Sequence, residues 1–227
     1  MVVDGVKIDI KDNTKFLGVI IDKCLSFQQH IQYVKGKMAR GIGILYKCKC
    51  FFGQKTLLTL YNSFLYPYLN YCLPVWGNTF ETYFDPLVKL QKWAVRIIAG
   101  VKRYTPSDSL FKQFKILKLN QIYIYMVHIL MFKYRYNTLP EIFSNFFERI
   151  NVSRFHDSFK TPLMHLELRR RTIRFAGVQI YNYISKRISL DVSIATFKSS
   201  VKSYIIVNDL SFTSKKGIKC GVPHGVI

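Results

Sequence analysis

The sequence predicts a mainly α-helical fold: an N-terminal β-hairpin, then a helical bundle, then a smaller C-terminal helical region. Three observations lead there. Two Val- and Ile-rich runs at the start flank a group of turn-favouring residues. Beyond Ser26, apolar residues recur at helical spacing in successive stretches. Repeats of fixed period and low-complexity segments, the marks of solenoids and fibres, are absent.

The hairpin is expected from Val2 to Ile10 and Lys15 to Ile21, turning at Lys11-Asp12-Asn13-Thr14. With Ser26 as N-cap, a first helix carries Ile31, Val34, Met38, Ile42 and Leu45 on one stripe and ends near Cys50 to Gly53. Gly36, Gly41 and Gly43 weaken it. From Thr56, the set Leu57, Leu60, Tyr61, Phe64, Leu65, Tyr68, Leu69 and Cys72 predicts a second helix, kinked at Pro67. Asp85 as N-cap, Pro86 at the first position and Gly100 past the end bound a third, with Leu87, Leu90, Ala94 and Ile97 inward. Gln121 to Tyr136 is apolar nearly all round, which predicts a helix buried at the centre of the core. Asn151 to Thr172 is polar and basic without periodicity, so it reads as a linker. Helices over Ile173 to Ile184 and Ile194 to Ile206 follow, the latter capped by Asp191 or Ser193 with Phe197, Val201 and Tyr204 as its stripe. The tail from Thr213 is expected to be mobile.

Of the 227 residues, 49% are hydrophobic, enough for one sizeable core or two small ones. Against 34 Lys and Arg stand 13 Asp and Glu, a formal charge of +21. Such an excess favours a polyanion, because bound phosphates release condensed counterions. Nucleic acid is the first partner class. An acidic membrane surface would use the same charge, but the longest near-apolar run, Ile122 to Phe132, is about half the ~20 residues a span needs. The N-terminus has no basic stretch followed by an apolar one, so an intracellular compartment, nuclear or cytoplasmic, is expected. Five cysteines, Cys24, Cys48, Cys50, Cys72 and Cys220, lack disulfide-framework spacing and are expected as free thiols.

The residue patterns that carry common chemistries are missing. Two-metal phosphoryl transfer needs clustered carboxylates, and the chain has no adjacent acidic pair. Asp9 and Asp12 fit turn chemistry and are assigned no metal. Cys48-Lys49-Cys50 and Cys220 with His224 contain zinc-ligand types without zinc-site spacing. His128 lies inside the apolar helix, where a hydrogen-bonded core histidine is expected. Neither a nucleophile elbow nor a phosphate-cradling Gly-rich loop occurs. What remains is charge interleaved with aromatics. Lys35, Lys37, Arg40, Lys47, Lys49 and Lys55 lie in the first two helices, and Arg169, Arg170, Arg171 and Arg174 further on. These are the candidate phosphate contacts, with Phe51, Phe52 or Phe175 to stack on bases.

Lys15-Phe16-Leu17-Gly18-Val19-Ile20-Ile21-Asp22, with Leu25-Ser26-Phe27 and His30-Ile31, resembles the segment just downstream of the palm in jockey-type non-LTR retrotransposon reverse transcriptases. The resemblance continues through Gly43-Ile44-Leu45-Tyr46, Leu65-Tyr66-Pro67-Tyr68-Leu69-Asn70-Tyr71-Cys72, Val75-Trp76-Gly77, Leu90-Gln91-Lys92 and Ala94-Val95-Arg96-Ile97-Ile98. It runs on more weakly to His156, Tyr181-Asn182 and Phe197-Lys198, where Tyr181 departs from the family's Trp. It implies a palm-edge hairpin over 1–25, a thumb-like helical domain over 26–150, and a basic linker with a C-terminal helical region over 151–227. Phe16, Leu17, Gly18 and Val19 would form a primer-grip strand, with Gly18 allowing close backbone approach.

The partners implied are RNA and DNA as template-primer, together with the palm and fingers, which the resemblance does not reach. Magnesium would belong to the complete parent enzyme. No cofactor and no catalytic residue are assigned to this chain, which is expected not to polymerise DNA by itself. The alternatives are an autonomous nonspecific nucleic-acid-binding module, and a relic without selected activity.

Overall fold

A computed structural model of the chain describes residues 2–3, 6–7, 11–153, 156–188, 192–213 and 217–219. It is mainly α-helical with an N-terminal antiparallel hairpin, the fold class expected. Asp9, Asp191, Cys220 and His224 lie outside the described residues. The chain divides into two compact units. The first comprises Met1–Cys72 and Thr79–Arg103, the second Leu73–Asn78 and Tyr104–Ile227. The boundaries expected at 25 and 150 do not coincide with this division.

In the first unit a short ladder pairs β1 (Val2–Val3) with β2 (Val6–Lys7). The main hairpin pairs β3 (Asn13–Phe16) with β4 (Val19–Asp22). The expected turn residues Asn13 and Thr14 are therefore in a strand, and the chain reverses at Leu17-Gly18. Both turn residues have positive φ, +44° and +84°. Phe16 opposite Val19 closes a two-residue loop whose twist matches the strands only with left-handed residues. Gly18 adopts that conformation without steric cost, and Leu17 does not.

Asp22 governs the passage from hairpin to helix. Its carboxylate accepts the backbone N–H groups of Cys24, Ser26 and Phe27 at 3.1, 3.0 and 2.7 Å, and the Ser26 hydroxyl at 3.2 Å. Slight burial pushes the Asp22 carboxyl up, but these donors outweigh it and hold it below the ordinary value. α1 (Gln28–Cys48) then starts from Phe27, in the left-handed region, and not from Ser26. Its buried stripe, Ile31, Val34, Met38, Ile42 and Leu45, is the one the spacing predicts.

α2 (Gln54–Phe64) and α3 (Tyr66–Asn70) occupy the stretch expected as one kinked helix. Pro67 has no N–H to give Ser63, and the helix breaks at Leu65. Gly41 of α1 lets this corner come close, since a Cβ there would lie 3.0 Å from Leu65 Cδ1. α4 is Leu73–Trp76, and α5 (Glu81–Ala99) begins before the expected start. Asp85 is thus not its cap, and Pro86 lies inside, where the bond it forfeits belongs to the exposed Thr82. Gly100, at φ +71°, ends α5 as expected. α1 packs on α5 and α2, and across that core Gln91 Nε2 donates to the Tyr61 hydroxyl at 2.9 Å. Burial raises the Tyr61 phenol well above its ordinary value, and the Gln91 bond offsets part of this.

The second unit is built round α7 (Leu119–Arg135), which buries residues on every side, as its composition predicts. Against it pack α4, α9 (Ile173–Ile184) and α10 (Ile194–Val207). α10 is capped by Ser193, whose hydroxyl accepts the Thr196 N–H at 3.2 Å. Its stripe is Phe197, Val201 and Ile205, with Tyr204 only partly covered. A short α6 (Asp108–Gln113) precedes α7, and Lys118 joins the two ends of the unit. Its ammonium meets Asp108 at 2.7 Å and Asp209 at 2.7 Å.

The expected linker holds a hairpin, β5 (Arg149–Ser153) with β6 (His156–Phe159), and a turn of helix, α8 (Glu167–Arg170). Its strands are too short for the period to stand out, and Phe159 is one of its anchors. Phe159 is buried among Tyr134, Phe147 and Tyr181, and Asn182 exchanges hydrogen bonds with its backbone at 3.0 and 2.7 Å. The last ladder pairs β7 (Ser211–Thr213) with β8 (Gly217–Lys219), so the described part of the tail is ordered into strands.

His128 is wholly buried in α7 but makes no hydrogen bond. Its ring lies 5.3 Å from those of Tyr181 and Phe197. Stacking replaces the expected polar partner, and burial pushes its pKa down to about 3.

Burial of this imidazole ties stability to pH. The unfolded chain takes up a proton on His128 near pH 6.5 and the folded chain near 3. Stability is therefore full above pH 6.5 and falls progressively toward pH 3, and His128→Leu flattens that part of a plot of thermal midpoint against pH. An unchanged slope in the variant counts against His128 as its source. Asp22→Ala leaves the α1 entry without its acceptor and lowers stability by about 1–2 kcal/mol in urea titrations.

Candidate nucleic-acid interface

The charge of the first unit is segregated along the chain. Between Asp22 and Glu81 there is no acidic residue. α1, α2 and α3 all fall in this stretch. Because one stripe of α1 is buried, helical geometry puts Gly36, Arg40, Gly43 and Lys47 on the opposite side, all exposed. A Cβ at Gly36 or Gly43 would meet nothing within 4 Å, so this side is flat as well as basic. Lys35 is exposed at one flank. Lys37, at the other, is half-buried, with its ammonium 5.4 Å from the Tyr33 ring and 5.8 Å from that of Tyr68.

At the C-terminal end of α1 the surface becomes concave. A cavity of about 690 Å³ is lined by residues from three places. Tyr46 comes from the last turn of α1 with Lys49 and Cys50 just past it, Phe52 and Gly53 from the turn into α2 with Gln54 at its start, and Trp93 and Arg96 from α5 with Lys102 and Arg103 beyond it. It contains no carboxylate side chain. Lys49 Nζ lies 4.0 Å from the Tyr46 ring centre and the Arg103 guanidinium 5.4 Å from that of Trp93. The ends of both helices are closed by backbone: Lys49 N–H donates to Leu45, Gly100 N–H to Ile97 and Val101 N–H to Arg96. The partial negative charge of two helix C-termini favours the cations gathered here, Lys49, Arg96, Lys102 and Arg103.

The structure thus brings Lys49 and Phe52 into the groove and leaves Lys35, Arg40 and Lys47 on the adjoining face. Lys55 is exposed in the first turn of α2, and Phe51, at 83% exposure, projects outside the groove. Tyr46, Trp93, Arg96, Lys102 and Arg103 were not singled out from the sequence. The signal that could have found them is the acid-free stretch combined with Trp93-x-x-Arg96, one turn apart at the end of a helix.

The second unit treats its arginines differently. Arg170 donates to the Met164 carbonyl at 3.0 Å, and Arg174 to that of Phe146 at 3.2 Å while lying over the Phe146 ring. Arg171 is partly buried, and its own carbonyl accepts Asn78 at 3.1 Å. These three hold loops, while Arg169 is exposed on α8. Phe175 is partly covered in α9. A smaller cavity here, about 270 Å³, includes the Glu148–Lys160 ion pair.

The residues expected as a primer-grip strand form the hairpin tip. Phe16 and Leu17 are exposed and Val19 is buried. The Leu17 carbonyl accepts the Tyr71 hydroxyl at 2.6 Å. Gly18 does permit a close approach, but by Tyr71 of this chain, whose ring would lie 3.4 Å from an added Cβ. Among the described residues no group of His, Cys, Asp or Glu could hold a metal ion, and Asp12 instead pairs with Lys23 at 2.9 Å. Cys24, Cys48, Cys50 and Cys72 are free thiols. No described helix is long and apolar enough to cross a membrane.

The fold and the groove define a basic, mainly helical protein with a concave aromatic-lined surface. Over 119 residues it is 22% identical to the probable RNA-directed DNA polymerase from transposon X-element of Drosophila melanogaster. The match takes in 50% of this chain and 13% of that protein, so the chain spans a small part of its relative's length. The similarity is thus to part of a transposon RNA-directed DNA polymerase. No protein-family model and no solved structure matches it.

The hairpin tip offers a direct check. Gly18→Ala forces a side chain into a left-handed turn against Tyr71, and destabilises the chain by about 1–2 kcal/mol in denaturant titrations. An unchanged midpoint would show that the turn relaxes to another form.

Proposed function

We propose that the chain is a template-primer-binding part of a non-LTR retrotransposon reverse transcriptase, of the jockey-like kind, corresponding to the palm edge, thumb and downstream region. Phosphate contacts come from Lys35, Arg40 and Lys47 on the α1 face and from Lys49 and Lys102 in the groove, with Lys55 beside it. Phe16, Leu17 and Gly18 offer an exposed tip to the primer strand. The observation that carries this reading is the groove itself, cationic and aromatic without a carboxylate. The carboxylates that bind magnesium and activate the primer hydroxyl are supplied from outside the chain, whose sequence has no adjacent acidic pair.

Because the groove lies wholly within the first unit, a second reading also has support: an autonomous module that binds nucleic acid without a palm. Both are tested by fluorescence anisotropy with an RNA–DNA primer-template across a salt series. Binding weakens steeply with salt, and Lys49→Glu with Lys102→Glu makes the slope of log affinity against log salt shallower by roughly 1 for each phosphate left unneutralised. An absence of binding at low salt overturns both readings. With magnesium and nucleotides the chain extends no primer, and extension would overturn the external source of the carboxylates.

A further inference from the structure

We infer that the groove at the C-terminal ends of α1 and α5 is a single-strand site, which takes an unpaired base against Trp93 and the adjoining phosphates on its cations. This rests on the reading of the chain as nucleic-acid-binding and specifies which form of nucleic acid the groove recognises.

The shape is the first reason. At about 690 Å³ the groove is in the size range of small-ligand pockets, roughly 300–1,000 Å³. A duplex keeps its base faces stacked and presents phosphates on a convex surface, so it has nothing to place in such a concavity. A splayed nucleotide offers a flat face and a charge together.

The pairing of side chains is the second. Two aromatic walls each carry their own cation, Tyr46 with Lys49 at 4.0 Å and Trp93 with Arg103 at 5.4 Å. Each cation lies over one face of its ring, so a base takes the other face or displaces the cation, and either way its phosphate lies next to a positive charge. Phe52, 48% exposed at the turn into α2, adds a third apolar face. Charge complementarity selects the occupant: the side-chain charge lining the groove is all positive, with no carboxylate, which favours an acidic ligand over a basic peptide. The flat side of α1, with Arg40 and Lys47 but without a concave aromatic wall, suits a duplex backbone equally well. The two surfaces therefore differ in what they can distinguish.

The chain has two tryptophans, and Trp76 is fully buried, so a change in tryptophan emission on adding nucleic acid reports Trp93. The full-length chain is titrated with oligouridylate RNA, oligothymidylate DNA and a blunt duplex, following both emission and anisotropy. Either single strand quenches the emission to a plateau and the duplex does not. Trp93→Ala weakens single-strand binding by roughly 5- to 100-fold and leaves duplex binding unchanged, whereas Trp93→Phe retains most of the single-strand affinity. Tyr46→Ala, at an exposed position, weakens the single strands in the same direction should Trp93→Ala fail to fold. Equal quenching by duplex, or equal loss of both ligands in the variants, overturns the inference while leaving nucleic-acid binding intact. A wild-type chain that binds neither strand nor duplex at low salt overturns the functional reading as well.

Discussion

The burial of one stripe of α1 is the constraint on which the first unit depends. Ile31, Val34, Met38, Ile42 and Leu45 all face inward, so α5 and α2 have one place to pack. The charged residues of α1, Lys35, Lys37, Arg40 and Lys47, then fall outside that stripe. In a segment without acidic residues all the charge on that side is positive. Arg40 and Lys47 thus present their charge as a consequence of how the core forms, and the end of α1 brings Tyr46 and Lys49 to where α5 ends. Gly41 matters to the same packing, because a larger residue would press on Leu65 at the corner between α2 and α3.

The second unit solves a different problem. α7 is apolar nearly all round and needs cover on every side, which helices from distant parts of the sequence provide. An aromatic cluster fills the interior, with Phe132 and Phe197 rings 3.9 Å apart and His128 stacked beside Phe197. A histidine held without hydrogen bonds is tolerated only while neutral, so the interior is acid-sensitive at this imidazole. Polar order lies at the edges, where Lys118 draws Asp108 and Asp209 together. Burial pushes the Lys118 ammonium down and the two carboxylates more than restore it, so it remains charged.

Elements with a strong period were legible in advance: the stripe of α1, the all-round burial of α7 and the bounds of α9. Ends and breaks were less so. Ser26 and Asp85 are good caps by residue type, but the Asp22 carboxylate and the packing of Phe84 moved the starts elsewhere. The β5–β6 hairpin went unread because the alternation of Arg149-Ile150-Asn151-Val152-Ser153 is only five residues long and its partner His156-Asp157-Ser158-Phe159 has none. The candidate site divided similarly. Lys49 and Phe52 were named from charge and aromaticity, while Trp93, Lys102 and Arg103, far along the chain, were not.

By itself the sequence determined the helical class, the buried stripes and the excess of positive charge, because these follow from periodicity and composition within short windows. Only the tertiary structure decided which charges act together. Arg170 and Arg174 look as available as Lys49 in the sequence, yet they bind backbone carbonyls of their own unit. The physical reason is that a groove belongs to no single segment: it exists where α1 and α5 end side by side, and that meeting is set by packing across the core.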